Sequence, residues 1–143
     1  MKKPNLLIHI IPTLENGGAE TVLARLVEEF YKIKINQYIF TISGSNSDFH
    51  YEKIKSFCEI IHLKKNKKRA FQILKSNQNS TLIGWMYRSF FLVYTYKVKF
   101  NLSNPIFWNV RNSNFRFFQF YQKIGLLFFG VLSKFLNPRI IYC

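Results

Sequence analysis

Apolar runs and amphipathic segments alternate along the first part of the chain. Residues 5–11 form a short, almost continuously apolar run, which is typical of a strand buried on both faces of a parallel sheet. After a polar loop with two glycines, apolar residues recur at positions 19, 22, 23, 26, 27 and 30, the spacing of one face of a helix. The pattern predicts a crossover at residues 17–31 that leads to a second strand at 38–42.

The same alternation continues to the end of the chain. Further apolar runs predict strands at 59–63, 81–84, 105–110 and 139–142. Helices are predicted at 51–57, 70–75, 88–100 and 115–136, with 64–69 as a basic loop or helix start. Strands that alternate with helices through short loops indicate βαβ units, so we predict an α/β, Rossmann-like, doubly wound parallel sheet. A length of 143 residues suits one domain, 1-143, and not two α/β domains.

The net charge of +14 lies entirely in the second part of the chain. Residues 1–59 hold equal numbers of basic and acidic side chains, whereas residues 60–143 hold no acidic side chain. A purely solvated surface mixes both signs, so we expect an anionic partner: phosphates, anionic lipid, nucleic acid or an acidic domain. Because 48% of the residues are hydrophobic, disordered and collagen-like classes are excluded.

The cysteines and histidines exclude several kinds of site. Cys58 and Cys143 belong to no CxxC pair, and no Cys/His cluster has zinc-ligand spacing, so we predict neither a disulfide scaffold nor a metal site. A reducing, cytoplasmic setting fits this pattern. His9 lies within the first apolar strand and is interpreted as a satisfied core or sheet-edge histidine. The longest apolar candidate for a membrane span, residues 124–132, is about half the required length.

The loop between the first strand and the first helix carries the first candidate site. Ligands of open α/β sheets bind beyond the carboxyl ends of the strands, and Gly17 and Gly18 open a helix at that edge. Glycines let the backbone approach a ligand closely, and the N–H groups at a helix start favour a phosphate. A plain tight turn explains an isolated Gly-Gly pair equally well, so both interpretations stay open on these residues alone.

Polar and aromatic side chains follow two later strands at the same edge. Arg88 and Arg111 would hold phosphate oxygens bidentately there, the alternative being ordinary surface arginines. Asn112 can orient a hydroxyl or a leaving-group oxygen but cannot act as a base near neutral pH. Trp85 and Trp108 also end strands, where they either line a cleft or pack in the core.

Four segments carry a resemblance that covers nearly the whole chain. They are HIIPTLENGGAE at 9–20, LIGWMYRSFF at 82–91, IFWNVRNSNF at 106–115 and LSKFLNPRIIYC at 132–143. In this order they resemble the amino-terminal half of family 4 glycosyltransferases, which are retaining, nucleotide-sugar-dependent enzymes of the GT-B type. Arg88 and Asn112 stand where the resemblance leads us to expect histidines.

The resemblance implies a single acceptor-side domain of a two-domain enzyme. It implies that Gly17, Gly18, Arg88 and Arg111 face the phosphates of a nucleotide-sugar donor, with Arg111 and Asn112 as catalytic candidates and no further cofactor. The acceptor would be a glycan of a growing, lipid-linked surface polysaccharide. A carboxy-terminal domain, absent from residues 1–143, would supply most donor contacts, so we expect no sugar transfer by this chain alone.

Two basic segments predict contact with an anionic membrane surface. Residues 114–136 combine aromatic side chains with Arg116 and Lys123 and contain no acid, as interfacial helices do, although a sheet-covering helix is the alternative. The second segment is a compact run of Lys64, Lys65, Lys67, Lys68 and Arg69. We therefore expect a peripheral location at the inner face of the cell membrane.

Two other functions stay open. The sequence pI of about 10.0 and the interleaved aromatic residues would also suit a nucleic-acid-binding module, although no recognisable nucleic-acid motif is present. A non-catalytic remnant with an exposed interdomain face is the other alternative.

Overall fold

The structure, a computed structural model, describes residues 6–102, 105–110, 131 and 139–142. Its strands are β1 (Leu6–Ile11), β2 (Asn36–Thr41), β3 (Glu59–His62), β4 (Thr81–Trp85), β5 (Ile106–Val110) and β6 (Arg139–Tyr142). Its helices include α1 (Gly18–Lys32), α2 (Tyr51–Lys55), α3 (Leu63–Ser76) and α4 (Met86–Lys99). The helix predicted at 115–136 lies outside the described residues.

The strands form one parallel sheet in the order β3-β2-β1-β4-β5-β6. From β1 the chain winds outward through β2 to β3. It then returns to β4, on the other side of β1, and winds outward again through β5 to β6. This is a Rossmann-like, doubly wound order, and it confirms the predicted α/β fold class. The order reverses between β1 and β4.

The central strand β1 is buried along its whole length because both faces of the sheet are covered. Ile8 and Ile10 pack into the core beneath α3 and α4, together with Leu74 and other buried side chains. Ile11, on the opposite face, packs into a second core beneath α1 and α2. A strand with no solvent-facing side has no polar alternation, which explains the continuous apolar run.

Helix α1 confirms the predicted first crossover, since it joins two strands that pair in parallel. Its first turn contains the acidic Glu20 and its last turn the basic Lys32, both in agreement with the helix dipole. The helix ends where Lys34 adopts a left-handed backbone with φ of 59°, a common way to terminate a helix.

Most element boundaries lie within two residues of the sequence prediction. Strand β2 begins at Asn36, two residues early, because the polar Gln37 is buried and its side-chain nitrogen donates to the Val27 carbonyl at 2.9 Å. Of the two alternatives predicted for residues 64–69, a basic loop or a helix start, the structure shows the helix start, because these residues belong to α3. The helix is broken at Asn66 (φ −123°, ψ 38°), within a run of cations that opposes the dipole of its first turns.

Replacing Gly84 with alanine is expected to cost about 1–3 kcal/mol of unfolding free energy. A Cβ at this position of β4 would lie 2.9 Å from Cδ1 of Phe90 and 3.1 Å from a methyl group of Val93. The Phe90 ring cannot retreat freely because it stacks on Trp108 at 4.9 Å. Urea denaturation would measure the loss, and combining G84A with Phe90→Leu should recover part of it. A G84A chain as stable as the wild type would contradict the prediction.

Candidate functional site

The sheet has a crevice where the strand order reverses. The carboxyl ends of β1 and β4 lie side by side there, with Ile10 paired to Gly84. The chain leaves β1 for α1 on one face of the sheet and leaves β4 for α4 on the other face. Open α/β sheets bind ligands at such a point. The structure places Gly17, Gly18 and Arg88 at this edge, because they begin α1 and α4. We call this space the switch-point crevice.

A glycine is needed at position 17 because a carboxylate occupies the space beside it, and not because the backbone has an unusual conformation. Its φ of −150° and ψ of 166° are extended values that any residue adopts. A Cβ at Gly17 would collide with the carboxylate of Glu20, whose residue is only 8% exposed. The negative charge of Glu20 stabilises the start of α1. It also lies beside the turn that the sequence predicted to meet a diphosphate.

Hydrogen bonds from the loop after β2 hold the loop after β1 in place. The Asp48 carboxylate accepts the N–H of Leu14 at 2.8 Å and the N–H of Ser45 at 3.1 Å. The N–H of His50 donates to the Leu14 carbonyl at 2.9 Å. Residues 43–50 therefore hold the glycine-bearing loop from the β2 side, and this side of the switch-point crevice is pre-formed.

Two buried histidines complete this support. Nε2 of His50 lies 3.3 Å from the hydroxyl of Thr21, and that hydroxyl donates to the Gly17 carbonyl at 2.8 Å. His62 bridges β2 and the loop, with Nδ1 2.7 Å from the Thr41 hydroxyl and Nε2 2.7 Å from Oδ1 of Asn46.

Burial lowers the pKa of both histidines. The Glu20 carboxylate partly opposes the effect at His50, and the Asp48 carboxylate partly opposes it at His62. Both rings are therefore mainly neutral at pH 7.

Trp85 and His9 form a buried pair beneath the switch-point crevice. The indole N–H of Trp85 donates to Nδ1 of His9 at 3.2 Å. Burial lowers the pKa of His9 to about 4, and the nearby Gln37 amide opposes this only in part. Trp85 and Trp108 are 1% and 3% exposed, so both tryptophans belong to the core and not to a cleft wall. The structure places His9 in the core, as one of the two interpretations held, but its Nε2 atom has no hydrogen-bond partner among the described residues.

The backbone is strained at the entry to α4. Met86 has φ of 65°, in the left-handed region that disfavours residues with a side chain. Lys34 and Asn101 share this conformation but follow the ends of helices, where it is common. Met86 is instead the first residue of α4, directly after the last residue of β4. Strain of this kind costs about 1 kcal/mol or more and concentrates at functional sites.

Arg88 provides a positive charge at the switch-point crevice. It lies in the first turn of α4, is exposed, and makes no hydrogen bond or ion pair with any other described residue. Its exposed guanidinium can bind an anion from outside. Arg111, Asn112, Arg116 and Lys123 lie outside the described residues.

The predicted basic segment lies apart from the switch-point crevice. Lys64, Lys65, Lys67, Lys68 and Arg69 are all exposed at the start of α3, directly after the outermost strand β3. Arg69 forms an ion pair with Glu59 at 2.8 Å, and Lys67 lies 5.5 Å from the centre of the Phe71 ring. Because β2 separates β3 from β1, the segment begins about 10 Å to the side of the glycine-bearing loop.

The sequence alone did not indicate three residues that support the candidate site. The roles of Asp48, His50 and Glu20 depend on the loop after β2 folding back onto the loop after β1. The clustering of polar residues at 43–48 was the only signal for that loop. Within the described part of the chain, no group of three or more His, Cys, Asp or Glu side chains could hold a metal ion.

Neither a protein-family model nor a curated protein matches this sequence. None of the helices in the described ranges has the length and apolar character needed to cross a bilayer. The fold and the switch-point crevice therefore carry the functional argument.

Proposed function

We propose that the chain is the acceptor-side half of a retaining, nucleotide-sugar-dependent glycosyltransferase of the GT-B type. The complete enzyme would transfer a sugar to a growing, lipid-linked surface polysaccharide at the cytoplasmic face of the cell membrane. The observation that carries the proposal is the switch-point crevice, where the Gly17-Gly18 turn and Arg88 flank the point of strand reversal. The resemblance of four sequence segments, in order along the chain, agrees with it.

The polar groups on the two sides of the switch-point crevice suit different parts of a nucleotide-sugar donor, the diphosphate and the sugar. Sugar transfer needs the departing diphosphate to be stabilised, and the exposed guanidinium of Arg88 can bind two of its oxygens. The Glu20 carboxylate repels phosphate but accepts hydrogen bonds from hydroxyl groups. We therefore assign the α4 side of the crevice to the diphosphate and the α1 side to hydroxyls of a sugar.

The strained turn at Met86 supports the assignment of Arg88. Because Met86 is held with a positive φ, the start of α4 has a conformation that the chain would otherwise avoid. A fixed helix start holds the backbone of Arg88 in one place, so less conformational freedom is lost when a phosphate binds. A second domain, from further chain or from a separate protein, would complete the donor site.

Nucleotide-sugar binding tests this proposal directly. We expect UDP-glucose or GDP-mannose to shift the backbone amide resonances of residues 12–18 and 84–90 of the ¹⁵N-labelled chain, with weak affinity. Arg88→Gln should weaken binding about tenfold, because a hydrogen bond to a charged group is lost. Arg25→Gln removes the same charge from an exposed position on α1 and should change nothing.

Two results would contradict the proposal. One is the absence of shifts in either segment with both nucleotide sugars. The other is an equal loss of affinity in R88Q and R25Q, which would mean that net charge alone attracts the ligand. Shifts in α3 with single-stranded RNA, in a chain that ignores nucleotide sugars, would point to a nucleic-acid-binding module.

A further inference from the structure

We propose that the outer side of α4, together with Lys99 at its end and the exposed lysines of the neighbouring helix α3, docks onto an anionic lipid bilayer. The surface consists of Phe91, Tyr94 and Val98 with the neighbouring cations, and we call it the α4 docking face. The inference deepens the proposed function, on which it rests for the expectation that the chain works at a membrane. It names the surface involved and a set of residues that the sequence did not indicate.

Helix α4 carries apolar side chains on the side that faces away from the sheet. Its buried residues include Ser89, Val93 and Tyr96. Phe91 and Val98 lie two turns apart on the opposite side and are 53% and 62% exposed. Surface helices normally place charged and polar residues there. The α4 docking face is thus an exposed apolar stripe that does not contribute to the core beneath the helix.

The charged side chains of α3 and α4 are all positive. Helix α3 packs beside α4, with the Phe71 ring 5.7 Å from Tyr96 and 5.3 Å from Phe100. Nζ of Lys99 lies 4.7 Å from the centre of the Phe71 ring, which places a cation at the seam between the two helices. Neither helix contains an acidic residue. Lysines beside exposed aromatic and aliphatic side chains are typical of surfaces that bind anionic lipid.

The charge pattern favours a bilayer over other occupants. A second copy of the chain would bring two purely cationic surfaces together, which repel each other. Single-stranded nucleic acid could stack on the rings of Phe91 and Tyr94, but it would gain little from the aliphatic Val98, which a bilayer also buries. A lipid surface satisfies both parts of the face, because headgroups bind the lysines and acyl chains accept Phe91 and Val98.

A tryptophan placed in the stripe reports on lipid contact. Phe91→Trp would be mixed with vesicles of phosphatidylglycerol and phosphatidylcholine, with and without brominated acyl chains, and compared with the wild type, whose Trp85 is buried. We expect its emission to shift to the blue and to be quenched by the brominated anionic vesicles, but not by purely neutral ones. The matched control is Tyr31→Trp, an exposed position at the end of α1, close to the Lys32 ion pairs with Glu28 and Glu29. It should stay unquenched.

Substitution of the stripe should weaken binding without unfolding the chain. Phe91→Ser combined with Val98→Ser should lower the partition onto anionic vesicles about tenfold, whereas Tyr31→Ser leaves it unchanged. Replacing Lys64, Lys65 and Lys68 with glutamine should remove mainly the part that salt screens.

Three results would overturn the inference. They are a wild-type chain that does not sediment with anionic vesicles at low salt, a vesicle-bound Phe91→Trp chain whose added indole emission stays unquenched, and displacement from vesicles by single-stranded RNA that binds the stripe itself. The nucleotide-sugar titration is independent of this assay. If the chain binds vesicles but no nucleotide sugar, the α4 docking face is supported and the proposed function is contradicted. If it binds nucleotide sugars but no vesicles, the proposed function is supported and the α4 docking face is contradicted.

Discussion

Replacing Trp85 with alanine is expected to lower the free energy of unfolding by about 3–5 kcal/mol, measured by urea denaturation at pH 7. The indole is 1% exposed and fills the core beneath α1, next to Leu23 and Val27. The substitution leaves a large cavity under the switch-point crevice. It also leaves Nδ1 of the buried His9 without its hydrogen-bond donor.

Two variants separate these causes. Trp85→Phe keeps most of the ring volume but removes the donor, so it should cost about 1–2 kcal/mol. Phe91→Ala, on the outer side of α4, should stay within about 0.5 kcal/mol of the wild type, because it opens no cavity. If Trp85→Ala costs no more than Phe91→Ala, the assignment of Trp85 to the core is wrong.

The second large effect is a loss of stability as the pH falls from about 6.5 towards about 4. Burial holds the pKa of His9 near 4 in the folded chain, whereas its ordinary value is 6.5. The unfolded chain therefore takes up this proton first, and each unit by which the pH falls within this window favours unfolding further. The shift corresponds to about 3 kcal/mol, which is fully present above pH 6.5. The lowered pKa values of His50 and His62 act in the same direction.

A variant without the imidazole identifies the source of this pH dependence. His9→Gln should show a clearly smaller fall in urea-denaturation stability between pH 7 and pH 5 than the wild type. His50→Gln, which removes a histidine with more solvent contact, should reduce the fall by less. Identical slopes for His9→Gln and the wild type would show that His9 does not govern the transition. Measurements above pH 5 avoid most of the contribution from carboxylates.

The periodic segments of the fold are predictable from sequence, and the exceptions have tertiary causes. Strand β1 is evident because a strand covered on both faces must be apolar throughout. The start of β2 is not evident from the sequence, because Gln37 is polar but buried. Its side chain donates a hydrogen bond to the Val27 carbonyl, and that acceptor is in place only when helix α1 is packed on the sheet. The start of α3 is ambiguous in the sequence because its first turns are rich in lysine, which the helix dipole disfavours.

The position of the candidate site follows from sequence more readily than its detail. Gly17 and Arg88 can be assigned to one edge because parallel strands bring their carboxyl ends together. The carboxylate beside Gly17 could not be foreseen, since it depends on the direction that Glu20 takes within the first turn of α1. The hydrogen bond from Leu14 to Asp48 joins two loops that are separated by a helix and a strand.

The strand order also dictates how the sheet can assemble. Every neighbouring pair of strands is parallel, so none of them can begin as a hairpin, and each pairing must close a long stretch of chain. The pairing that completes the centre joins Leu7 to Thr81. During synthesis, β1, β2 and β3 emerge first, and one edge of β1 waits unpaired until β4 has left the ribosome. Folding should accordingly be slow for a chain of this size, and the nascent protein exposes its most apolar strand to chaperones for that interval.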